Sequence, residues 1–478
     1  MDITKLKLRQ IRDMLDNGET SCEEIVNAYI ERINDLDGEL SCFITRTIEG
    51  ALEQARNADK CIANGDTSEL TGIPLAISDN ICTKGIKTTA GSKMLGEFIP
   101  PYDATVISRL NEQGAIIIGK TNLDEMGIGA STANSHFGIT KNPFNIDECT
   151  IGSAAGVAAG FFPVGIGADT GGSMLIPAAN CGVTSIRPTY GRVSRYGLIA
   201  NASSFDQIGG VANNAHDLAI LLDKIAGFDE FDRTSSREDV VDFTAKIGDS
   251  LKGMKIALPK EFYGDMVDDE IKEAVLSAAK QYEEMGAELI EVSIPSIEFA
   301  IPAYYIIANA EISSNLARYD GIKFGYRAED IDSYEQLVKR SRAEAFGDEA
   351  KRRILLGNFV LSSDSYKNYF EKALAVRQKM ISEFNDVFAS CDVILTPTNT
   401  TNSLTEDVVK KYNSIYCAAP TCMAMLPSIT TTCGYSNSGM PIGMSIIGRG
   451  FDEATIIGVA DQFERGFNKI LPALIGGR

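Results

Sequence analysis

The sequence predicts an α/β protein in which one large mixed β-sheet is layered between α-helices. Short apolar runs bounded by glycine, such as Ala115 to Gly119, are typical of strands buried on both faces. Strand and helix patterns alternate along the chain, which favours a sheet covered by helices. With 478 residues, 44% of them hydrophobic, the chain can bury a large core.

Residues 1–65 are predicted to form a helical lead-in, and residues 66–478 one compact unit. Thr20 and Glu23 have the spacing of a capping box, which marks the start of a helix. The apolar positions that follow recur on one helical face: Ile25, Ala28, Tyr29 and Ile33. From Leu75 onward, the pattern changes to the short apolar runs of strands.

A strand–helix–strand unit is predicted in the second half of the chain. Residues 254–258 form its first strand, Asp268 caps its helix, and residues 289–292 form its second strand. The helix has one apolar face, made of Ile271, Val275, Ala279 and Tyr282. A strand at 393–395 and a helix at 454–463 are predicted near the end of the chain.

The formal net charge of −20 disfavours strong, direct binding of nucleic acid, because such binding requires a positive surface. The charged stretch at 229–249 is predicted to be a solvated surface connection. The sequence has neither an apolar run long enough to span a membrane nor a secretory leader. We therefore expect a cytoplasmic protein that does not bind membranes.

The ten cysteines are scattered without a CxxC pair, so we expect reduced thiols. The nearest two, Cys417 and Cys422, have no second pair of cysteines. The two histidines, His136 and His216, lack the spacing of metal ligands relative to either cysteine. No metal and no cofactor are therefore expected.

The segment from Gly152 to Gly182 is rich in small residues and contains the turn Asp169-Thr170-Gly171-Gly172-Ser173. Its backbone N–H groups, from Thr170, Gly171 and Gly172, are a candidate oxyanion hole beside a candidate nucleophile, Ser173. The same composition is compatible with a turn that packs a helix closely on the sheet, or with an anion site. A serine nucleophile needs a base, and neither histidine has a recognisable setting for that role.

Several long motifs, in order along the chain, carry a resemblance to a known family. They are GIPLAI (72–77), DNICTKG (79–85), PYDATV (101–106), GKTN (119–122), DTGGS (169–173), PAANCG (177–182), RPTYGRVSRYGL (187–198), NLARYDG (315–321) and KRRI (351–354). With them the chain resembles the amidase-signature family, and within it the A subunit of tRNA-dependent amidotransferase. The resemblance implies the amidase-signature fold and a nucleophile at Ser173. In that family the A subunit hydrolyses glutamine, and its partner uses the ammonia to amidate Glu-tRNA(Gln) or Asp-tRNA(Asn).

Three departures from the family pattern bear on activity. Ser78 occupies the position of the family's lysine, and a hydroxyl there cannot drive the family's proton relay. Cys149 occupies the position of the bridging serine, which the family holds in a cis peptide bond, and Glu148 replaces the preceding glycine. After the nucleophile position, a charged residue of the family has become apolar within Met174-Leu175-Ile176.

The glutamine-binding positions implied by the resemblance are partly kept. Tyr304 or Tyr305, and Arg352 or Arg353, match two of them. The family's aspartate for the α-amino group is expected at 413–415, where no aspartate stands. The resemblance also implies B- and C-type partner subunits or their paralogues, and the pocket is compatible with a small amide or amino-acid ligand.

The leading hypothesis is a diverged paralogue that keeps the fold, lacks standard glutaminase or amidase activity, and serves as a binding or scaffold component. The alternative is an active amidase or glutamine-dependent amidotransferase component that uses Ser173, with Cys149, and an unrecognised base. Lys84 and Lys120 lie in motifs shared with active relatives, so neither is an obvious replacement base. A third hypothesis, deliberate replacement of the lysine, does not account for the changes around Cys149 and after Ser173.

Overall fold

The structure is a computed structural model that describes residues 2–401 and 412–472. Its strands, in chain order, are β1 (Phe43–Arg46), β2 (Pro74–Ser78), β3 (Ile116–Thr121), β4 (Thr140–Asn142), β5 (Asn145–Thr150), β6 (Val164–Asp169), β7 (Thr184–Arg187), β8 (Gln207–Ala212), β9 (Lys255–Pro259), β10 (Glu288–Val292), β11 (Val393–Pro397), β12 (Ser428–Tyr435) and β13 (Pro441–Ile447).

Helices connect most of these strands. They are α1 (Leu8–Asp16), α2 (Cys22–Leu40), α3 (Ile48–Ala63), α4 (Thr105–Glu112), α5 (Gly152–Ala158), α6 (Leu175–Asn180), α7 (Ala215–Ile225), α8 (Asp269–Glu284), α9 (Ala300–Leu316), α10 (Tyr334–Ala345), α11 (Asp348–Val360), α12 (Ser363–Ser365), α13 (Glu371–Phe388), α14 (Ala419–Met423) and α15 (Glu453–Gly466). Short single turns of helix link several of them.

In the described ranges, eleven strands form one sheet in the order β1-β3-β2-β6-β8-β7-β12-β13-β11-β9-β10. Parallel pairs, such as β2 with β3 and β9 with β10, occur beside antiparallel pairs, such as β6 with β8. Every residue of the inner strands β2, β3, β8 and β13 is buried, so both faces of the sheet are covered. The predicted mixed α/β sheet is confirmed.

The predicted strand–helix–strand unit is also confirmed. Strands β9 and β10 pair in parallel, and α8 connects them in the chain. The helix begins directly after Asp268, whose side chain makes no capping hydrogen bond. The apolar face that the periodicity predicts is buried, as shown by Ile271, Val275, Ala279 and Tyr282.

The N-terminal segment differs from its prediction in the position of one helix cap and in one additional strand. Helix α2 is capped by Ser21 and Glu24, one residue later in each case than the predicted pair, and Thr20 instead donates to the Glu24 carboxylate. Between α2 and α3 the chain forms β1, which pairs antiparallel with β3 at the edge of the sheet. Residues 1–65 therefore contribute a strand to the main sheet as well as helices.

Other expectations concern the surface and the thiols. The 229–249 stretch forms turns and loops without a helix or strand, and most of its residues are exposed. All ten cysteines are free, and no group of potential metal ligands occurs within the described ranges. None of the helices in that part of the chain is long and apolar enough to cross a membrane.

Helices α9 and α11 pack so closely that a glycine is required between them. A Cβ atom added at Gly357 of α11 would lie 2.0 Å from the main-chain oxygen of Asn309 and 2.6 Å from the side chain of Ser313, both on α9. These two helices carry Tyr304, Tyr305 and Arg353, so their spacing determines where those side chains lie.

We expect Gly357→Ala to destabilise the fold by about 1–3 kcal/mol, because the added methyl group forces the two helices apart. Gly50→Ala is the matched control: Gly50 lies in α3 and a Cβ there meets nothing within 4 Å. That change should stabilise the protein by about 0.5–1 kcal/mol through helix propensity. Urea unfolding measures both, and equal effects of the two substitutions would contradict the close packing of α9 and α11.

Candidate active site

The turn that carries Ser173 connects the end of β6 to the start of α6. The carboxylate of Asp169, the last residue of β6, accepts hydrogen bonds from the backbone N–H groups of Gly172 (2.8 Å) and Met174 (2.8 Å). Gly172 has φ +98°, a conformation that favours glycine. Arg187 of β7 forms a buried ion pair with Asp169 at 3.3 Å. The turn is therefore shaped by one carboxylate and its guanidinium partner.

The Ser173 hydroxyl is engaged by the main chain. Its Oγ donates to the Ala168 carbonyl at 3.2 Å and accepts from the Thr170 N–H at 3.4 Å. Neither partner is a base. Ser173 itself lines the walls of two adjoining cavities.

Ser173 and Ser78 line the same small cavity, which we call the inner cavity. It offers about 20 Å³ of free space, room for a molecule the size of water. Ser78, at the end of β2, and Ser153, at the start of α5, are part of its wall. Among the described residues of this wall there is no lysine, arginine or histidine.

A buried carboxylate stands in the same wall. Asp206 accepts hydrogen bonds from the Thr170 hydroxyl (2.7 Å) and from the backbone N–H groups of Asn201 (2.9 Å) and Ala202 (3.1 Å). Burial raises the pKa of the Asp206 carboxyl from 3.8 to about 6, because desolvation disfavours its charged form. The inner cavity thus contains an acid that titrates closer to neutral pH than an exposed aspartate.

A wider outer cavity of about 90 Å³ adjoins the inner one and shares Ser173 with it. Tyr304, Tyr305 and Arg353 line it. Arg353 is buried, donates to Glu349 (2.7 Å) and Asn309 (3.2 Å), and lies over the ring of Tyr305. A fixed guanidinium in a cavity of this size is suited to a small carboxylate ligand.

The structure distinguishes between Arg352 and Arg353, which the sequence gave as alternatives for one binding position. Arg352 is half-exposed, pairs with Glu349 and lies over the ring of Tyr412, outside the lining of both cavities. Arg353 lines the outer cavity. Ser414 and Ile415, in the segment where the family's aspartate was expected, also line it.

Cys149 does not join Ser173 in either lining. It lies in β5 opposite Lys141 of β4, and burial raises the pKa of its thiol. The peptide bond that precedes it is trans, like every other peptide bond in the described residues. The neighbouring serine, Ser153, lines the inner cavity instead, and the sequence had not singled it out.

The three candidate oxyanion-hole residues differ in their positions relative to the two cavities. Thr170 lines both cavities and Gly171 lines the outer one. The N–H of Gly172 is already bonded to Asp169, so it does not face a ligand in this arrangement.

Lys120 is a buried cation in one of the sequence motifs, and its hydrogen bonds lie outside both cavities. Its Nζ donates to the Ile81 carbonyl (2.7 Å) and to the hydroxyls of Thr88 (2.8 Å) and Thr83 (3.2 Å), and it lies 3.8 Å from Asp79. Burial lowers the pKa of Lys120 to about 8. Lys120 lines neither cavity, so its bonds hold the segment after β2 and do not reach Ser173.

The remaining candidate bases also lie elsewhere. Lys84 is exposed, and His136 and His216 are absent from the walls of both cavities. His216 sits on α7, where burial lowers the pKa of its imidazole.

Sequence reasoning missed two wall residues, and only one of them carries a local signal. Glu349 stands three and four residues before Arg352 and Arg353, the spacing of side chains that meet on a helix, and it pairs with both. Asp206 has no local pattern of this kind, because the loop that places it beside Ser173 is distant in sequence.

Comparison with known proteins identifies the family of the chain. The family model described as Amidase matches residues 24–457. The chain belongs to the amidase family. The resemblance to this family on which the sequence analysis rested is therefore confirmed.

Similar proteins within the amidase family include A subunits of an amidotransferase. The A subunit of glutamyl-tRNA(Gln) amidotransferase from Caldanaerobacter subterraneus subsp. tengcongensis is 45% identical and is covered over 100% of both chains. The protein of the same name from Lacticaseibacillus casei is 46% identical, also over 100% of both. The crystal structure of the corresponding protein from Thermotoga maritima superposes with a TM-score of 0.82 at 34% identity, covering 99% of each chain.

The raised pKa of Asp206 predicts a pH dependence of stability. An acid whose folded-state pKa is raised stabilises the folded state at low pH, and this contribution is lost as pH rises through the folded-state value. The unfolding free energy of the parent relative to Asp206→Asn should therefore fall by about 2 kcal/mol between about pH 4 and pH 7.

Denaturant unfolding across that range measures the difference. Asp217→Asn is a parallel case, because burial also raises the pKa of Asp217 to about 6 and it lies away from both cavities. The unfolding free energy of the parent relative to Asp217→Asn should also fall as the pH rises. A pH-independent difference for Asp206→Asn would mean that its carboxyl is not desolvated.

Proposed function

We propose that the chain is a diverged paralogue of the amidotransferase A subunit that binds a small amide or amino acid but lacks ordinary glutaminase or amidase activity. The observation that carries this proposal is the environment of Ser173. Its hydroxyl is bonded to two main-chain groups, and no basic side chain lines the described wall of the inner cavity.

Acyl transfer to a serine needs a group that removes the hydroxyl proton as the bond to carbon forms. A positioned general base contributes about 10²–10⁴-fold to such a rate. Ser78 offers a hydroxyl whose own proton is held far too tightly for this role at neutral pH. Loss of the amine at this position therefore removes a large part of the catalytic effect while leaving the binding surfaces in place.

Retention of the outer cavity supports a binding role. Arg353 is held by Glu349 and Asn309 before any ligand arrives, so little conformational entropy is lost when it pairs with a carboxylate. Tyr304 and Tyr305 supply apolar surface and hydroxyls to the same wall. The missing aspartate at 413–415 suggests a ligand that does not depend on an α-amino contact there.

A second candidate function is an active amide hydrolase that uses Ser173 with a carboxylate base. Asp206 favours it, since this buried carboxylate lines the same cavity and its pKa is raised to about 6. The hydroxyl of Thr170 already donates a hydrogen bond to one Asp206 oxygen. This bond makes the carboxylate a poor proton acceptor for Ser173. We therefore rank this function second.

The relatives are named as the A subunit of an amidotransferase, a name that implies further subunits. We propose that this chain associates with B- and C-type subunits or with their paralogues. A chain with net charge −20 is unsuited to holding tRNA directly, so the proposed complex would rely on a partner for that contact.

The first experiment measures ammonia release from glutamine, asparagine and simple amides by the purified parent and by Ser173→Ala. We expect both to release ammonia at the same background rate, because Ser173 lacks a base. Ser78→Lys, which restores an amine to the inner cavity, should release ammonia faster than the parent.

An active relative from the same family, assayed in parallel, shows that the conditions support turnover. If the parent turns over an amide and Ser173→Ala abolishes that turnover, the proposal that the chain lacks amidase activity is refuted. If Asp206→Asn also abolished it, the carboxylate base would be identified.

Ligand binding is tested separately by calorimetric titration with glutamine and with glutaramate, which lacks the α-amino group. Arg353→Gln should weaken binding of either ligand about tenfold or more, since it removes a charge-assisted contact to the carboxylate. Arg352→Gln is the matched control, because Arg352 pairs with the same Glu349 but lies outside the cavity. Equal losses in the two variants would indicate a structural effect through Glu349.

A further inference from the structure

A cavity of about 450 Å³ lies apart from Ser173, and among the described residues it shares no part of its wall with the inner or the outer cavity. We call it the Lys93 cavity. Cavities that bind small organic molecules measure about 300–1,000 Å³, so its size suits such a ligand. Three separate segments of the chain form its wall, which includes Lys93, Phe98, Ile99, His136, Phe137 and Tyr326.

Backbone hydrogen bonds join these segments on both sides of Lys93. The N–H of His136 donates to the Gly91 carbonyl at 2.8 Å, and the N–H of Tyr326 donates to the Met94 carbonyl at 2.7 Å. Lys93 lies between these two acceptor residues in the chain. The cation and the two other segments therefore surround one space, and this space is formed before a ligand binds.

Lys93 brings an unpaired cation to the wall. Its ammonium group lies 4.4 Å from the centre of the Tyr326 ring, and it forms no ion pair or hydrogen bond with any described residue. Glu97, an acid of the same wall, is instead paired with Lys87 at 2.9 Å. Glu344, whose charge interacts with Lys93, accepts a hydrogen bond from the Tyr326 hydroxyl at 2.7 Å and is paired with an arginine. Positive charge is therefore left over at Lys93.

The rest of the wall is largely apolar. Phe98 is half-buried, whereas Ile99 and Phe137 are exposed, so their side chains present hydrocarbon surface without a covering residue. His136 lies against the Phe137 ring, with 5.3 Å between the ring centres, and supplies the ring nitrogens of an imidazole. An apolar and aromatic wall with a few polar groups is typical of sites for small molecules.

A second cavity meets the Lys93 cavity at Lys93 and His136, which line both. Negative charge disfavours an anion on that side, because four acids line the second cavity: Glu125, Glu344, Asp348 and Glu349. An anionic group placed at Lys93 and His136 is therefore oriented. The remainder of its molecule lies in the apolar Lys93 cavity and not among the acids.

We propose that the Lys93 cavity binds a small organic anion, with its carboxylate or phosphate at Lys93 and His136 and its apolar body against the hydrocarbon wall. A lysine ammonium group attracts either kind of anion as a point charge, and burial of the apolar body adds to the affinity. This site does not depend on the proposed ligand of the outer cavity, because Arg353 lines that cavity and not this one.

The test is calorimetric titration of the whole chain with 2-naphthoate, 2-naphthyl phosphate and the neutral 2-naphthylmethanol. Both anions should bind at one site, and the alcohol about tenfold more weakly, because it lacks the charge-assisted contact. Acetate and inorganic phosphate, which lack the apolar body, should bind more weakly than either naphthyl anion. The tighter of the two naphthyl anions identifies the preferred head group.

Substitutions in the wall separate the charge from the apolar surface. Lys93→Met should weaken both naphthyl anions about tenfold and leave the affinity for the alcohol unchanged. Phe137→Ala should weaken all three naphthyl probes, because it removes part of the apolar surface. Lys323→Met is the matched control, since Lys323 is exposed, lies close in sequence to Tyr326 and is not part of the wall. It should change none of the affinities.

Arg353→Gln distinguishes this site from the outer cavity, and it should leave binding of the naphthyl anions unchanged. If it abolishes that binding, the probes occupy the outer cavity and the proposal is wrong. Equal affinities for the alcohol and the anions, unchanged affinities in Lys93→Met, or no binding of any naphthyl probe also overturn the proposal. None of these readouts depends on ammonia release, so this proposal and the proposed function can fail separately.

Discussion

The candidate site depends on the buried ion pair between Asp169 and Arg187. Both side chains are fully buried, and removing one partner of such a pair typically costs about 3–5 kcal/mol, because the other charge is left unpaired. The Asp169 carboxylate uses its oxygens to fix the backbone of the turn after β6, and Arg187 also donates to the Phe205 carbonyl, next to Asp206. One pair therefore joins the Ser173 turn to the loop that supplies the acid of the inner cavity. This geometry can persist without catalysis, since it is held by main-chain and ion-pair contacts that do not involve Ser78.

The sheet could be predicted from the sequence because buried strands such as β3 contain short apolar runs and because one parallel unit has a strand–helix–strand pattern. The capping box of α2 was displaced by one residue, since Thr20 and Ser21 are both competent caps and only packing decides between them. Strand β1 was missed because only four residues form it, at the edge of the sheet and half-exposed, so they show no apolar run.

The site was predictable only where a motif named the residue. Ser173, Ser78, Tyr304 and Arg353 lie around two adjoining cavities. The family motifs named Ser173 and Ser78 outright, and they gave Tyr304 and Arg353 only as alternatives to Tyr305 and Arg352. Ser153, Asn201 and Asp206 could not be named, because their positions depend on how separate loops pack beside the end of β6. The pair Arg352 and Arg353 shows a second limit of prediction from sequence. Their chemistry is the same, and the rotation of α11 alone decides which one faces the cavity.

The proposed loss of activity follows from one position. Ser78 stands where the family pattern has a lysine, and a hydroxyl cannot take up the proton of Ser173 at neutral pH. No lysine, arginine or histidine lines the described wall of the inner cavity in its place. The outer cavity does not depend on position 78, because Ser78 is not part of its lining and Arg353 is held by Glu349 and Asn309. On the proposed function, a chain of this kind therefore keeps its ligand-binding surface after its reactivity is lost.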